Sequence, residues 1–274
     1  MQQTASDRPS ALAASPAPAI SLTDVGLTFG DAVIFEHLSF DVRPGEFLCL
    51  LGPSGCGKST TLRLIGDLLT QQSGTVRVGG LPPEQTWDRL AYVFQNPRLL
   101  PWKNALDNAA FGLEMRRPQM PAAERRAIAT RQLARVGLAA DAQKMPNMLS
   151  GGERQRVSIA RALALDPAII LMDEPFSALD PNTRQRLRQE LVDLWRDSGK
   201  TVVFVTHDID EAVFLADRIV ILSRKPSSVR AVVTVDAPRP RDLEASAELR
   251  QVRGELAAIF NDMGVMPEAE EEHA

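Results

Sequence analysis

Four short stretches of the chain are almost continuously apolar, at 46–51, 168–172, 201–206 and 218–222. Stretches of this length are typical of strands that are buried on both faces of a parallel sheet. Helical patterns alternate with them, at 58–69, 153–165, 182–197 and 208–216. Because strand and helix alternate, we expect an α/β core whose parallel strands are joined by right-handed crossovers.

Other patterns flank this core. Residues 20–43 and 74–80 alternate apolar and polar positions between turn residues, which predicts a small antiparallel β layer. From about 103 to 148 the pattern is helical and richer in charge. It predicts a helical subdomain inserted between core strands, with outer bounds at about 97–160. An amphipathic helix is expected near 244–262, before an acidic tail that closes the chain.

Composition narrows the class of protein. The chain has 274 residues, of which 44% are apolar and 24% charged, and its net charge is −4. These values predict a globular protein without the broad basic surface that nucleic acid binding requires. The chain contains no run of 18 apolar residues, so its sequence predicts no membrane-spanning helix. The Ala/Ser/Pro-rich opening at 1–19 is expected to be a mobile arm rather than a secretory signal, and Cys49 and Cys56 are expected to be reduced thiols.

A glycine-rich loop follows the first apolar stretch. It matches the pattern G-x-x-x-x-G-K-[S/T], in which backbone N–H groups cradle phosphate oxygens. The predicted nucleotide-binding residues are Gly52, Pro53, Ser54, Gly55, Cys56, Gly57, Lys58, Ser59 and Thr60. Lys58 is expected to reach the β- and γ-phosphates, and Ser59 to ligate Mg²⁺. The helix that starts at Lys58 directs its positive end toward the same site.

Polar residues also follow other strands of the predicted core. Asp173 and Glu174 follow the second apolar stretch. Asp173 is predicted to take part in Mg²⁺ binding, and Glu174 to orient or deprotonate the attacking water. His207 follows the third stretch; a lone histidine is usually structural, but its place beside a phosphate site favours a γ-phosphate contact. Gln95 ends the strand "AYVF", where a functional role and an ordinary surface role both remain open.

A second glycine pair lies about ninety residues later, in Ser150-Gly151-Gly152-Glu153. Ser and Glu at this spacing predict a capping box at a helix start. A capping box does not need two glycines, which lower helix propensity, but glycines permit an anion to approach the exposed N–H groups closely. Since one nucleotide needs only one phosphate cradle, we expect a head-to-tail pair of chains, each nucleotide lying between one chain's first loop and the other chain's second.

The motifs occur in an order that resembles the nucleotide-binding subunit of ABC transporters. They are "GPSGCGKST", Gln95, "LSGGERQR", "IILMDEP", "SALD" and His207, and the resemblance covers about 20–243. It implies a P-loop NTPase (RecA-like) fold that binds ATP and Mg²⁺. It also implies that Gln95 joins the Mg²⁺ site to a membrane partner, that Asp180 lines the dimer seam, and that Phe29 stacks on adenine, although a core position for Phe29 fits the sequence nearly as well.

Two residues depart from the family's usual pattern. Position 153 is Glu where the family most often has Gln, and position 29 is Phe where Tyr is frequent. Neither change removes a group on which the chemistry depends, so we expect activity to be retained.

Further segments are similar to importer ATPases of the nitrate, aliphatic sulfonate and taurine group. They are "RLLPWKNALDNAAFGLE", "DEPFSALDPNTR", "THDIDEAVFLADRIVILSRKP" and "APRPRD". This likeness implies a homodimer at the cytoplasmic face of the membrane. The homodimer would power oxyanion uptake through membrane permease subunits, and an extracytoplasmic solute-binding protein would be an indirect partner. Leu99, Leu100 and Trp102 are candidates for the permease contact; packing inside the helical subdomain is the alternative, weaker for Trp102.

Other functions fit the sequence less well. A chromosome-maintenance ATPase carries a long coiled coil between the two glycine motifs, which in this chain lie only about ninety residues apart. A ribosome-acting ATPase normally has two cassettes and a more basic charge than this chain, whose net charge is −4. A guanine-reading N-K-x-D segment is missing, and the intact set of Lys58, Asp173, Glu174 and His207 argues against an inactive binding module. An ABC-type ATPase that serves a different transporter remains open, because this subunit does not encode the cargo.

Overall fold

The computed structural model of the protein describes residues 17–177 and 179–264. The predicted mobile arm at 1–19 lies mostly outside the described residues, and the predicted acidic tail lies wholly outside them. None of the helices in these two ranges has the length and apolar character needed to cross a bilayer.

Within these two ranges, nine strands form two sheets. In chain order they are β1 (Ile20–Phe29), β2 (Ala32–Val42), β3 (Phe47–Leu51), β4 (Ser73–Val78), β5 (Leu90–Val93), β6 (Ile169–Asp173), β7 (Thr201–Val205), β8 (Arg218–Leu222) and β9 (Val229–Thr234). The larger sheet has the order β5-β6-β7-β3-β8-β9, and its first five strands are parallel. The predicted parallel α/β core is therefore confirmed.

The smaller sheet is antiparallel and has the order β2-β1-β4. Ile20 pairs with Val42 on one side and with Val78 on the other. These strands are the ones that the alternating patterns at 20–43 and 74–80 predict, so the antiparallel layer is also confirmed. An antiparallel strand was not predicted at β9, which closes one edge of the large sheet beside β8.

Seven α-helices complete the described fold. They are α1 (Lys58–Ile65), α2 (Ala105–Arg116), α3 (Ala122–Arg135), α4 (Gly151–Ala164), α5 (Pro181–Ser198), α6 (Ile209–Leu215) and α7 (Ala247–Asp262). The prediction of a helix to residue 69 was wrong for α1, which ends where Gly66 caps it and Asp67 takes a left-handed conformation with φ of 56°. The predicted subdomain boundary at 160 falls inside α4, and residues 97–104 contain no α-helix.

The large sheet separates two apolar cores. Leu48 and Leu50 of β3 face the antiparallel sheet and α1, whereas Phe47, Cys49 and Leu51 face the core that α2 to α7 cover. This alternation follows from the two-residue period of a strand, and it buries both faces of the central strands. The two cysteines lie in different cores and are both free thiols, as predicted. The fold thereby fixes the carboxyl ends of the parallel strands along one rigid edge.

Candidate active site

The phosphate loop connects β3 to α1. Gly57, the residue that caps α1, has a φ of 105°, and a Cβ atom there would lie 2.7 Å from the ring of Phe35. Only glycine meets both the conformation and the close packing. No side chain caps α1, so its first N–H groups are not satisfied by a capping residue. A helix start of this kind is suited to bind a phosphate group.

Lys58 begins α1 and is almost completely buried, with 5% of its surface exposed. Its ammonium group donates hydrogen bonds to the carbonyl oxygens of Gly52 (2.7 Å) and Pro53 (3.0 Å). The loop therefore holds the ammonium group against its own backbone. Positive charge and backbone donors converge at one place, which is the arrangement that binds a triphosphate.

Ser59 lies one residue further along and meets the carboxyl end of β6. Its hydroxyl donates to a carboxylate oxygen of Asp173 at 2.7 Å, and the Tyr92 hydroxyl lies 3.4 Å from the other carboxylate oxygen. Burial raises the pKa of Asp173, and the Ser59 hydrogen bond partly offsets this. The sequence predicted Ser59 and Asp173 but not Tyr92, whose position inside a strand carries no motif.

The residues beside Asp173 suit Mg²⁺. Hydroxyl and carboxylate oxygens are the ligands that Mg²⁺ prefers, with phosphate oxygens and water completing its shell. Among the described residues no three His, Cys, Asp or Glu side chains form a metal cluster. The set of Ser59 and Asp173 fits a cation bound jointly with a nucleotide better than a cation held by protein alone.

Glu174 is surrounded by two of the predicted residues. Its carboxylate lies 3.3 Å from Nδ1 of His207 and accepts a hydrogen bond from the Gln95 amide at 3.2 Å. The contact with His207 lowers the pKa of Glu174, although burial opposes this shift. Glu174 has a φ of 41°, which is uncommon for a residue with a side chain and is typical of functional sites. The lowered pKa favours the ionised form of Glu174, which is also held in an unusual backbone conformation.

A buried network supports the segment that carries His207. The Thr206 hydroxyl donates to Glu211 at 2.7 Å. Arg188 of α5 donates to Glu211 at 2.9 Å and to Asp208 at 2.8 Å. Charge-assisted hydrogen bonds of this kind fix side-chain geometry more strongly than neutral ones. Sequence reasoning missed this network because its members come from separate segments without a shared spacing.

The second glycine pair starts α4. Ser150 and Glu153 form the predicted capping box, with hydrogen bonds of 3.1 and 2.7 Å between each backbone N–H and the other's side chain. A Cβ atom at Gly152 would lie 2.8 Å from a methyl group of Leu179, so any side chain here would require Leu179 to shift. At Gly151 a Cβ atom would meet only Arg154, at 3.9 Å. Of the two glycines, only Gly151 has no close contact at its Cβ position among the described residues.

The second glycine pair has no hydrogen bond or ion pair to the phosphate loop among the residues that the structure describes. Instead, α4 is joined to the segment after β5. The Gln155 amide donates to the carbonyl oxygen of Phe94 at 3.0 Å, and Arg161 donates to Pro97 (2.8 Å) and Arg98 (3.0 Å). The backbone around Gln95 is therefore tied to the helix that carries Ser150.

Replacing Arg161 by leucine is expected to lower the free energy of unfolding by about 1–3 kcal/mol, because two backbone carbonyls lose a charged donor. Urea denaturation followed by circular dichroism measures the change. Arg77→Leu is the matched control, because Arg77 is exposed on β4 and away from this segment. Equal stability of the two variants would show that the carbonyl contacts do not stabilise the fold.

The remaining predicted residues lie at the surface or its margin. Phe29 is 46% exposed at the end of β1, so the alternative that placed it in the core is excluded. Asp180 is the N-cap of α5 and accepts from the Thr183 N–H at 3.0 Å. Trp102 is 71% exposed, whereas Leu99 packs partly against the core. Leu100 is half-buried, and its backbone pairs with the Asn108 side chain.

Comparisons with known proteins agree with this arrangement. A family model described as ABC transporter matches residues 35–177. The nitrate import ATP-binding protein NrtD of Synechococcus elongatus is 43% identical over 229 residues, which is 82% of this chain and 84% of the relative. The bicarbonate transport ATP-binding protein CmpD of Synechocystis sp. is 44% identical over 221 residues, 80% of this chain and 78% of the relative.

A solved structure gives the same result for the fold. It is the dimeric ATP-binding cassette MJ0796 in a post-hydrolysis state bound to ADP and Pi. It is 35% identical to this chain, with a TM-score of 0.73 over 80% of this chain and all of the solved one. The chain therefore belongs to the ABC transporter family and is one of its ATP-binding, ATP-hydrolysing proteins.

Proposed function

We propose that this ATPase drives the import of a small oxyanion through a separate membrane permease. One observation carries the catalytic part of the proposal. The phosphate loop, the Ser59–Asp173 pair and the cluster of Glu174, His207 and Gln95 follow adjacent parallel strands and meet at one sheet edge. The relatives named for nitrate import and bicarbonate transport support the oxyanion part.

At this edge each residue has a distinct proposed role. The backbone from Gly52 to Thr60 binds the phosphates of ATP, and Lys58 pairs with the β- and γ-phosphates. Ser59, Asp173 and Gln95 hold Mg²⁺, which when bound supplies positive charge to the phosphate oxygens. Phe29 offers an exposed ring for stacking on the adenine base.

Glu174 is proposed to act as the base that takes a proton from the attacking water. Its lowered pKa keeps the carboxylate ionised at neutral pH, and its two hydrogen-bonding neighbours restrict its orientation. His207, which lies beside Glu174 and is half exposed, is proposed to contact the γ-phosphate. Together these groups position water and stabilise charge, the two main contributions to phosphoryl transfer.

The functional unit is proposed to be a head-to-tail homodimer. Ser150, Gly151 and Gly152 start a helix and are turned to the surface, with no contact to their own chain's phosphate loop within the described ranges. The N–H groups at this helix start suit the γ-phosphate of ATP bound to the partner chain. Asp180 lies close to this turn in the fold, because its neighbour Leu179 packs against Gly152, and it is proposed to line the dimer seam.

The permease is proposed to contact the segment after Gln95, at the cytoplasmic face of the membrane. Trp102 is the most exposed large apolar side chain among the described residues. A tryptophan that is mostly exposed in one chain is a frequent anchor in protein interfaces. The hydrogen bonds from α4 to the carbonyl oxygens of Phe94, Pro97 and Arg98 would transmit a shift of the segment after Gln95 to α4, which Ser150 caps.

Replacing Trp102 by alanine is expected to weaken permease binding at least tenfold, the size of effect seen for a tryptophan at an interface centre. ATP binding and thermal stability are expected to stay unchanged, because the side chain is exposed. Co-purification with the permease and nucleotide titration measure the two quantities. Trp87→Ala is the control, since Trp87 is also exposed but lies before β5. Equal loss in both assays would indicate a structural role for Trp102.

The transported oxyanion is identified by stimulation of ATP hydrolysis. The chain is purified with its permease and solute-binding protein, and hydrolysis is measured with nitrate, bicarbonate, taurine and aliphatic sulfonates. Stimulation by one of these anions, at least severalfold over the basal rate, would support the proposal and name the cargo. Stimulation by none of them would contradict the oxyanion proposal and leave the ATPase identity unchanged.

A further inference from the structure

A cavity with a volume of about 360 Å³ lies between α3 and α5. Ile170 near the start of β6 and Val202 near the start of β7 lie at its base. Because β6 and β7 are parallel, their amino ends lie at the edge opposite to the candidate active site. The cavity is therefore separate from the nucleotide site, and its volume is in the range of small-molecule sites.

The inner wall of the cavity is apolar. It is formed by side chains from three helices and two strands, namely Ile128, Leu163, Ile170, Leu191, Leu194 and Val202. Trp195 adds an aromatic surface, and its indole nitrogen is buried without a hydrogen-bond partner among the described residues. A ligand held here would bury an alkyl chain or ring, which is the main source of affinity in such sites.

The rim of the cavity is positively charged. Arg117, Arg131 and Arg135 line it and are exposed. The fourth cation, Lys200, is paired with Asp166 at 2.6 Å, and this contact lowers the pKa of Asp166. No hydrogen bond or ion pair within the described ranges engages the three arginine guanidinium groups. Asp166 also interacts electrostatically with Arg117, so the uncompensated positive charge of the rim lies mainly at Arg131 and Arg135.

We propose that this cavity binds a small amphiphilic organic anion. Its apolar body lies on the inner wall, and its carboxylate, sulfonate or phosphate group pairs with Arg131 and Arg135, which are one helical turn apart on α3. Two guanidinium groups at this spacing suit one oxyanion. The ligand would join α3, which packs beside α4, to α5, whose Arg188 supports the segment of His207. This proposal does not depend on which solute the transporter carries.

Decanoate is the probe, with decanol and inorganic phosphate as matched ligands that carry only its apolar chain or only a negative charge. Isothermal titration calorimetry on the full chain is expected to show decanoate binding at least tenfold tighter than either. The double variant Arg131→Gln/Arg135→Gln is expected to bind decanoate at least tenfold more weakly, the effect of losing a charged hydrogen bond. Arg77→Gln, which changes an exposed arginine on β4, is expected to leave the affinity unchanged.

Trp195 reports where the probe binds. The chain has three tryptophans, and Trp87 and Trp102 are exposed and replaceable by phenylalanine. In this double variant, decanoate is expected to shift the emission of Trp195, and decanoate is expected to bind as in the unchanged chain. Equal affinity for decanoate and decanol, an unchanged affinity in the arginine double variant, or a Trp195 emission that does not respond at saturation would each overturn the proposal.

Discussion

Replacing Glu174 by glutamine is expected to lower the rate of ATP hydrolysis by two to four orders of magnitude, the usual contribution of a positioned base. Glutamine has nearly the same shape as glutamate and still accepts a hydrogen bond from Gln95, but it does not take a proton from water. The affinity for ATP is expected to stay within a few fold of the original. Steady-state hydrolysis and equilibrium nucleotide titration separate the two effects.

The same variant tests the proposed dimer, because ATP that is bound but not hydrolysed keeps the two chains together. Size-exclusion chromatography is expected to show a dimer of Glu174→Gln with ATP and Mg²⁺ and a monomer without nucleotide. Glu153→Gln is the matched control: glutamine preserves the capping box at Ser150, so hydrolysis is expected to continue. A Glu174→Gln chain that hydrolyses ATP within fivefold of the original, or that stays monomeric with ATP, would contradict these roles.

The role of His207 follows from its effect on Glu174. The contact between the two side chains lowers the pKa of the carboxyl group, while burial alone would raise it. Without His207 the pKa of Glu174 is therefore expected to rise, and the ionised fraction at slightly acidic pH to fall. A base must be ionised to accept a proton, so His207 is suited to keep Glu174 active as well as to contact the γ-phosphate.

The sequence predicts the centre of the fold better than its margins. The strands β3, β6, β7 and β8 are buried on both faces, and this produces the continuous apolar runs that identify them. The edge strand β9 alternates exposed residues with mostly half-buried ones and is followed by prolines, so its pattern is weak. The end of α1 depends on the conformation of Asp67 and on Gly66 packing near Tyr92, which local periodicity does not reveal.

In the candidate site, too, some residues are predictable from the sequence and others are not. Lys58, Ser59, Asp173 and Glu174 belong to short motifs in which chemistry fixes the spacing, and the structure places Ser59 against Asp173 and Glu174 beside His207. Residues that position these groups are spread along the chain. The contact of Gln155 with Phe94 joins segments about sixty residues apart, and no local pattern indicates it. Sequence therefore predicts the groups that are proposed to react, whereas the folded chain is needed to identify the residues that position them.

Gly152 shows why a motif can have two causes. From the sequence alone, both glycines after Ser150 are expected to serve the approach of a phosphate. The structure adds a packing contribution at Gly152, since a side chain there would require the end of Leu179 to move. Loss of activity on changing Gly152 would therefore not separate phosphate binding from folding. Gly151 has open space around its Cβ position, so it is the residue with which the proposed partner-chain contact is best tested.

Replacing Gly151 by aspartate is expected to reduce ATP hydrolysis about a hundredfold or more, because a carboxylate would face the γ-phosphate where N–H donors are proposed. The fold is expected to tolerate the change, since aspartate is favourable in the first turn of a helix. Urea denaturation checks the stability. Gly151→Ala is the matched comparison: it adds a side chain without a charge, and it is expected to reduce hydrolysis at least tenfold less than aspartate does.

Mixing this variant with Lys58→Ala distinguishes a shared site from one built within a single chain. Each variant alone is expected to be inactive. In a head-to-tail heterodimer, the intact phosphate loop of the Gly151→Asp chain faces the intact segment 150–152 of the Lys58→Ala chain, which gives one complete site. The other site combines both substitutions and is inactive. An equal mixture is expected to recover about one quarter of the original rate, since half of the dimers are mixed and each has one working site. A mixture that stays inactive while mixed dimers form would mean that Ser150 and Gly151 act on ATP bound to their own chain or not at all.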